Sequence, residues 1–131
     1  MKRIIPEITV NDCKGALDYY KGVFGGEIRN VQMADGIEIF KGLEGKVIHS
    51  ELHINPDCVL YLIDILGEGR EAANAHLLLE LDNEEEINRI YTELSKKGTV
   101  KFELQKTFWG ALHAVVVDIY GNTWGLNYTS R

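Results

Sequence analysis

The chain has 131 residues, a formal net charge of −6 and 45% apolar residues. This length and composition suit one soluble domain with a hydrophobic core. The negative charge argues against nucleic acid and anionic membranes as partners, and no apolar run reaches the ~20 residues of a membrane span.

The first half of the sequence predicts a strand, a helix and further strands. Residues 4–10 alternate as a strand, and Asn11 or Asp12 is placed to cap the helix that follows. The apolar residues of that helix recur at helical spacing up to Gly25, which ends it. The later predicted strands cover 27–34, a short segment at 37–40, 47–54 and 58–65.

The second half repeats this order after a linker at 67–75. A strand at 76–82 leads to Asn83, which caps a helix with Glu86 three residues on, and Gly98 ends that helix. Three more strands are predicted at 100–107, 112–119 and 123–128. Both halves therefore follow the order βαβββ, and aligning the two halves places His49 and His113 at equivalent positions.

Alternation along the strands predicts which side chains face away from the helices. In "VIHSELHI", His49, Glu51 and His53 share one face, and Ile48, Leu52 and Ile54 share the other. The same reasoning places His76 and His113 away from the helices, so all four histidines lie on the uncovered faces. Such a face is either solvated or the lining of a ligand site.

Four stretches carry a resemblance to a known family: "ALDYYKGVFGGEI", "IHSELHI", "HLLLELDN" and "WGALHAVVVDIYGNTWGLNY". They resemble the vicinal oxygen chelate superfamily of glyoxalase I, bleomycin-resistance proteins and extradiol dioxygenases, and most of all its PhnB-like branch. The resemblance covers nearly the whole chain. It implies an α+β fold in which two βαβββ modules form a cupped, open mixed β-barrel with the helices outside. It also implies a single domain over 1–131, with modules at about 1–66 and 76–131.

The resemblance also implies where a metal would be held, and the residues there are poor ligands. The corresponding positions are Ile5 (or Pro6), Tyr61, His76 and Gly125. Only His76 is a good neutral ligand, whereas a catalytic metal generally needs three protein ligands. We therefore predict no cofactor and no metal centre of the usual kind. A divalent metal moved to His49, Glu51 and His53 is the less favoured alternative.

The resulting prediction is a PhnB-like protein that binds a small molecule in the cup. Trp109 could close over the ligand or pack at a dimer contact. The predicted cavity residues are Glu7, His49, Glu51, His53, Tyr61, His76, Glu80, Trp109 and His113.

Two other functions stay open at this point. One is a metal- or carboxylate-dependent lyase, isomerase or dioxygenase, and the other is a drug-sequestering protein of the bleomycin-resistance type. Cys13 and Cys58 lack metal-type spacing and no export signal is recognised, so a cytoplasmic protein is expected. The family resemblance implies a homodimer.

Overall fold

The computed structural model describes residues 1–66 and 76–130. The chain separates into two compact units, Met1–Arg70 and Glu71–Arg131. Each unit is a mixed four-stranded sheet with one α-helix. The predicted α+β class and the repeated βαβββ order are therefore confirmed. The predicted linker at 67–75 lies outside the described residues.

The main elements of the first module are β1 (Glu7–Val10), α1 (Cys13–Phe24), β2 (Glu27–Met33), β3 (Val47–Asn55) and β4 (Cys58–Asp64). Its strand order is β1-β4-β3-β2, with β1 parallel to β4 and the other pairs antiparallel. A short 3-10 helix at Glu38–Phe40 lies between β2 and β3.

Two aspartates fix the start of α1. Asp12 caps the helix, since its Oδ1 accepts from the Gly15 amide at 3.2 Å. The buried Asp64 accepts from the Cys13 amide at 2.8 Å and from the Val47 amide at 2.7 Å. Asp64 thereby links the helix N-terminus to two strands of the sheet. The apolar stripe of α1 is buried and consists of Cys13, Ala16, Leu17, Tyr20 and Val23.

The elements of the second module are β5 (Leu77–Glu80), α2 (Glu84–Ser95), β6 (Thr99–Lys106), β7 (Ala111–Val117) and β8 (Thr123–Thr129). Its strand order is β5-β8-β7-β6, again with its first pair parallel. Asn83 caps α2 by accepting from the Glu86 amide at 2.8 Å, as predicted.

The turn between β7 and β8 is organised by a second buried carboxylate. Asp118 Oδ1 accepts from the amides of Tyr120 and Asn122, at 2.8 and 3.0 Å. Its Oδ2 accepts from the indole Nε1 of Trp124 at 2.7 Å. Trp124 is fully buried.

The predicted faces of the sheets are largely confirmed. Ile8 and Val10 are buried in β1 while Glu7 and Thr9 are exposed, and Ala114 and Val116 are buried in β7. In β3 the side chain of Ser50 reaches Cys13 of α1. Because residues alternate along a strand, His49, Glu51 and His53 lie on the face opposite α1.

In the first module, the start of one strand and the type of one short element were predicted wrongly. The first strand begins at Glu7 instead of Ile4, because β1 pairs with β4 only from Glu7 onward and Ile4 is 84% exposed. The segment predicted as a strand at 37–40 forms the 3-10 helix, whose turn is closed by the bond from the Phe40 amide to the Ile37 carbonyl at 3.0 Å. A four-residue stretch without a neighbouring strand has no ladder to join, so it closes local turns instead.

Gly26 brings β2 close to β3 beside the histidine strand. Its φ is +98°, and a Cβ at this position would lie 2.4 Å from the carbonyl oxygen of His53. Only glycine allows both the conformation and the close approach. Over residues 1–66 and 76–130, no helix is long and apolar enough to cross a bilayer.

Candidate functional site

Strand register places a row of polar side chains on the uncovered face of the first module. Glu7 of β1 pairs with Tyr61 of β4, Tyr61 pairs with Glu51 of β3, and Glu51 pairs with Arg29 of β2. Directly paired residues project from the same face of a sheet. The register therefore brings together three predicted site residues and adds Arg29, which the sequence reading missed.

Glu51 is the centre of this face. Its Oε2 lies 2.6 Å from Nε2 of His49, and its Oε1 lies 2.6 Å from Nε2 of His53. Oε1 also accepts from Nδ2 of Asn30 at 3.1 Å. Glu51 is only 8% exposed. The carboxylate thus receives three hydrogen bonds from side chains, and we call Asn30, His49, Glu51 and His53 the Glu51 cluster.

The hydrogen bonds keep this carboxylate ionised. The bond from His49, and next the bond from His53, lower the pKa of Glu51 from 4.5 to about 2, while burial acts in the opposite direction. Hydrogen bonds to the charged form outweigh its loss of water here. The cluster therefore contains a fixed negative charge at neutral pH.

A β-bulge delivers Asn30 to the cluster. The pairing between β2 and β3 shifts register between Arg29 and Gln32, and Asn30 lies in this shift with φ of +52°. Asparagine tolerates this left-handed conformation better than most residues with a side chain. Bulges commonly re-aim a side chain next to a functional site. Here the bulge directs the carboxamide at Glu51.

Two further contacts border the cluster. The ring of Tyr61 meets that of His49 edge to face, with centroids 4.8 Å apart. Arg29 bonds to the carboxylate of Glu27 at 3.1 Å, and this bond lowers the pKa of Glu27. Glu27 pairs in register with His53, so a second carboxylate lies beside the cluster.

In the second module, two of the remaining predicted residues, Glu80 and His113, lie in one register row. Glu80 of β5 pairs with Asn127 of β8, and Asn127 pairs with His113 of β7. The Nδ1 of His113 lies 3.3 Å from Oδ1 of Asn127. Glu80 and Asn127 also line a recess of about 220 Å³ together with Leu81 and Thr129. Asn127 is another polar residue that the sequence reading missed.

Trp109 lies in the turn before β7 and is 54% exposed. Its ring lies 5.9 Å from that of His113 and 4.9 Å from that of Phe108, between ring centroids. Phe102 completes the group, with its ring 5.8 Å from His113. The predicted roles of Trp109 as a lid or a dimer contact stay predictions.

The positions implied for a family metal do not supply a ligand set. In the first module, Ile5 and Pro6 carry no donor atom beside Tyr61. In the second, the imidazole Nε2 of His76 lies 3.8 Å from where Gly125 would carry a Cβ, so Gly125 leaves His76 without a neighbouring ligand. These donors do not fit a three-ligand metal centre. Within residues 1–66 and 76–130, no group of three or more His, Cys, Asp or Glu side chains is arranged to hold a metal ion.

The nine predicted cavity residues thus fall into two sets, one in each module. Glu7, His49, Glu51, His53 and Tyr61 share the face of the first sheet, and the direct contacts are among the last four. In the second module, His113 contacts Trp109 and is in the same register row as Glu80. That both sets line one cavity stays a prediction.

Comparison with known proteins assigns the chain to a family. The model of the Glyoxalase/Bleomycin resistance protein/Dioxygenase superfamily matches residues 4–126. No curated protein matches the sequence.

Solved structures share the fold at low sequence identity. Protein PA1353 from Pseudomonas aeruginosa is 23% identical with a TM-score of 0.86, covering 100% of both chains. The PhnB protein from Bacillus cereus is 22% identical with a TM-score of 0.81, covering 98% of this chain and 100% of that one. The fosfomycin resistance protein FosX from Listeria monocytogenes is 11% identical with a TM-score of 0.70, covering 99% and 95%. The family match over almost the whole sequence identifies the chain as a member of the glyoxalase/bleomycin resistance protein/dioxygenase superfamily.

Proposed function

We propose that this protein is a PhnB-like member of the superfamily that binds a small organic molecule through the Glu51 cluster, without the usual metal centre. One observation carries the proposal: an ionised, nearly buried carboxylate is held between two imidazoles and a carboxamide on the sheet face that α1 does not cover.

The cost of building this arrangement supports a functional role. Burying a carboxylate is unfavourable unless hydrogen bonds replace its water. Here three side chains replace the water around the carboxylate. One of them, Asn30, is positioned by a backbone bulge and has a positive φ. The fold of the first module does not require a charge at this place, because its core lies on the opposite face, around Leu17, Tyr20 and Leu52. Titratable groups held in such perturbed states concentrate at functional sites.

A metal-independent lyase or isomerase is a second candidate. A carboxylate bonded to an imidazole orients the ring and stabilises the imidazolium that forms when the ring accepts a proton. The Glu51 cluster contains two such pairs sharing one carboxylate. The same site would then bind the substrate and move a proton.

The remaining parts of the proposal concern the setting of the protein. We infer a cytoplasmic homodimer that binds neither nucleic acid nor membranes. The net charge of −6 supports the absence of nucleic acid partners. The dimer follows from the family resemblance alone, and size-exclusion chromatography with light scattering tests it.

Thermal stabilisation by small molecules tests the proposed function. The panel would contain alcohols, phenols, amides, carboxylic acids, amines, bleomycin and fosfomycin, tested on wild type, Glu51→Gln and Glu103→Gln. Glu103 is an exposed carboxylate on β6 and is the matched control. A ligand that binds only the native state raises the free energy of unfolding by RT ln(1 + [L]/Kd), and the melting temperature rises with it.

The expected result is at least one compound that stabilises wild type and Glu103→Gln but not Glu51→Gln. Stabilisation of all three proteins to the same extent would place the ligand elsewhere. A panel without any stabilising compound would contradict the proposed function.

A further inference from the structure

The hydrogen bonds to the Glu51 carboxylate determine where the neighbouring side chains carry their protons. An ionised carboxylate only accepts hydrogen bonds, so each of its three neighbours must donate. His49 and His53 both face it with Nε2, at 2.6 Å each, and Asn30 faces it with Nδ2 at 3.1 Å. Each imidazole therefore carries a proton on Nε2.

With Nε2 bonded to Glu51, each imidazole has its second ring nitrogen, Nδ1, left for a ligand. In a neutral imidazole with its proton on Nε2, Nδ1 is an acceptor with a free lone pair. Neither Nδ1 has a hydrogen-bond partner among the described residues, and neither is among their fully buried unpaired atoms. The side chains of His49 and His53 are 35% and 20% exposed. While the imidazoles are neutral, a ligand can therefore reach nitrogen atoms that accept hydrogen bonds but do not donate them.

We infer that the Glu51 cluster selects ligands that donate hydrogen bonds, namely the hydroxyl or N–H groups of alcohols, phenols or amides. This inference rests on the proposed function and names the ligand class of the same site. The donor of the ligand would bond to Nδ1 of His49 or His53, while Glu51 holds each ring in place through Nε2.

The surroundings disfavour anionic ligands. A carboxylate or phosphate would meet two lone pairs and the charge of Glu51, and Glu7 and Glu27 add negative charge on the same face. The guanidinium of Arg29, which pairs in register with Glu51, is bonded to Glu27 at 3.1 Å. Like charges and facing acceptors both oppose binding.

The tautomers can be measured without any ligand. Long-range ¹H–¹⁵N NMR spectra of the imidazoles, recorded at mildly alkaline pH, should show the proton on Nε2 in His49 and His53. His113 is the internal control, because its Nδ1 faces Oδ1 of Asn127 and should carry the proton. A proton on Nδ1 of either His49 or His53 would overturn the inference.

Phenol and anisole then test the ligand class, because they differ in the one donor group. Phenol should shift the Nδ1 resonances of His49 and His53 in wild type and in Glu103→Gln, and anisole should bind at least about tenfold more weakly. Equal binding of the two probes, or no shift with phenol, would overturn the inference.

The two proposals can fail separately. A panel compound without a donor group that stabilises wild type but not Glu51→Gln would leave the proposed function standing and overturn the donor assignment. Phenol shifts at the cluster that persist unchanged in Glu51→Gln would show that Glu51 does not prepare the imidazoles, and would overturn it as well.

Discussion

Replacing Glu51 by glutamine should lower the free energy of unfolding, because the hydrogen bonds to the charged carboxylate are weakened or lost. A pKa of about 2 against the ordinary 4.5 corresponds, at about 1.4 kcal/mol per pH unit, to an upper bound of about 3 kcal/mol. Both imidazoles keep some contact with solvent, so we expect a loss of about 1–2 kcal/mol in the free energy of unfolding. In addition, only the oxygen of the glutamine amide accepts a hydrogen bond. Its NH₂ group would therefore face an imidazole N–H, so that two donors would meet.

The assay is urea denaturation of wild type, Glu51→Gln and the matched control Glu103→Gln at neutral pH. The control should stay within about 0.5 kcal/mol of wild type, as exposed substitutions usually do. For a chain of this length the expected loss corresponds to a fall in melting temperature of roughly 3–8 °C. Equal stability of the two variants would refute the reasoning, because the bonds to Glu51 would then contribute nothing.

The pH dependence follows from the same lowered pKa. A carboxyl whose pKa falls on folding stabilises the native state fully above its unfolded pKa. The contribution of Glu51 should therefore be lost as the pH falls from about 4.5 towards about 2. Over that window wild type should lose more stability than Glu51→Gln, and parallel losses would contradict the assignment.

Three other predictions concern the supports of the first module and its cysteines. Asp64→Ala should cost about 2–4 kcal/mol in urea denaturation, since it leaves two buried amides unpaired; a loss below 1 kcal/mol, against Asp57→Ala as the exposed control, would contradict this. Asn30→Gly should cost under about 1 kcal/mol and Asn30→Ala about 1 kcal/mol more, because only alanine strains the left-handed backbone; the reverse order would be inconsistent with the bulge. A thiol reagent such as dithionitrobenzoate should modify the exposed Cys58 quickly and Cys13 only on unfolding, since burial raises the pKa of the Cys13 thiol to about 11; rapid reaction of both in the native protein would contradict this.

Much of the fold can be predicted from the sequence, because apolar periodicity and caps are local signals. The order of elements and the capping by Asp12 and Asn83 follow from such signals. The shared face of His49, Glu51 and His53 follows from alternation along one strand. The strand at 37–40 fails because four residues carry too little pattern to distinguish a strand from a 3-10 turn.

The decisive contact of the site could not be predicted in the same way. Asn30 reaches Glu51 only because a bulge shifts the register of β2 against β3. The sequence of one strand alone does not determine how two strands pair. The choice of Nε2 by both imidazoles likewise depends on side-chain geometry. The only signal in the sequence is an asparagine inside a strand, which is a residue type suited to positive φ.

The titration of the Glu51 carboxyl group tests the central claim most directly. Side-chain ¹³C NMR should show Glu51 still ionised at pH values where an ordinary glutamate is protonated, with a midpoint of about 2. A midpoint near the ordinary 4.5 would show that the two imidazoles and Asn30 do not hold the charge, and would contradict the account of the site.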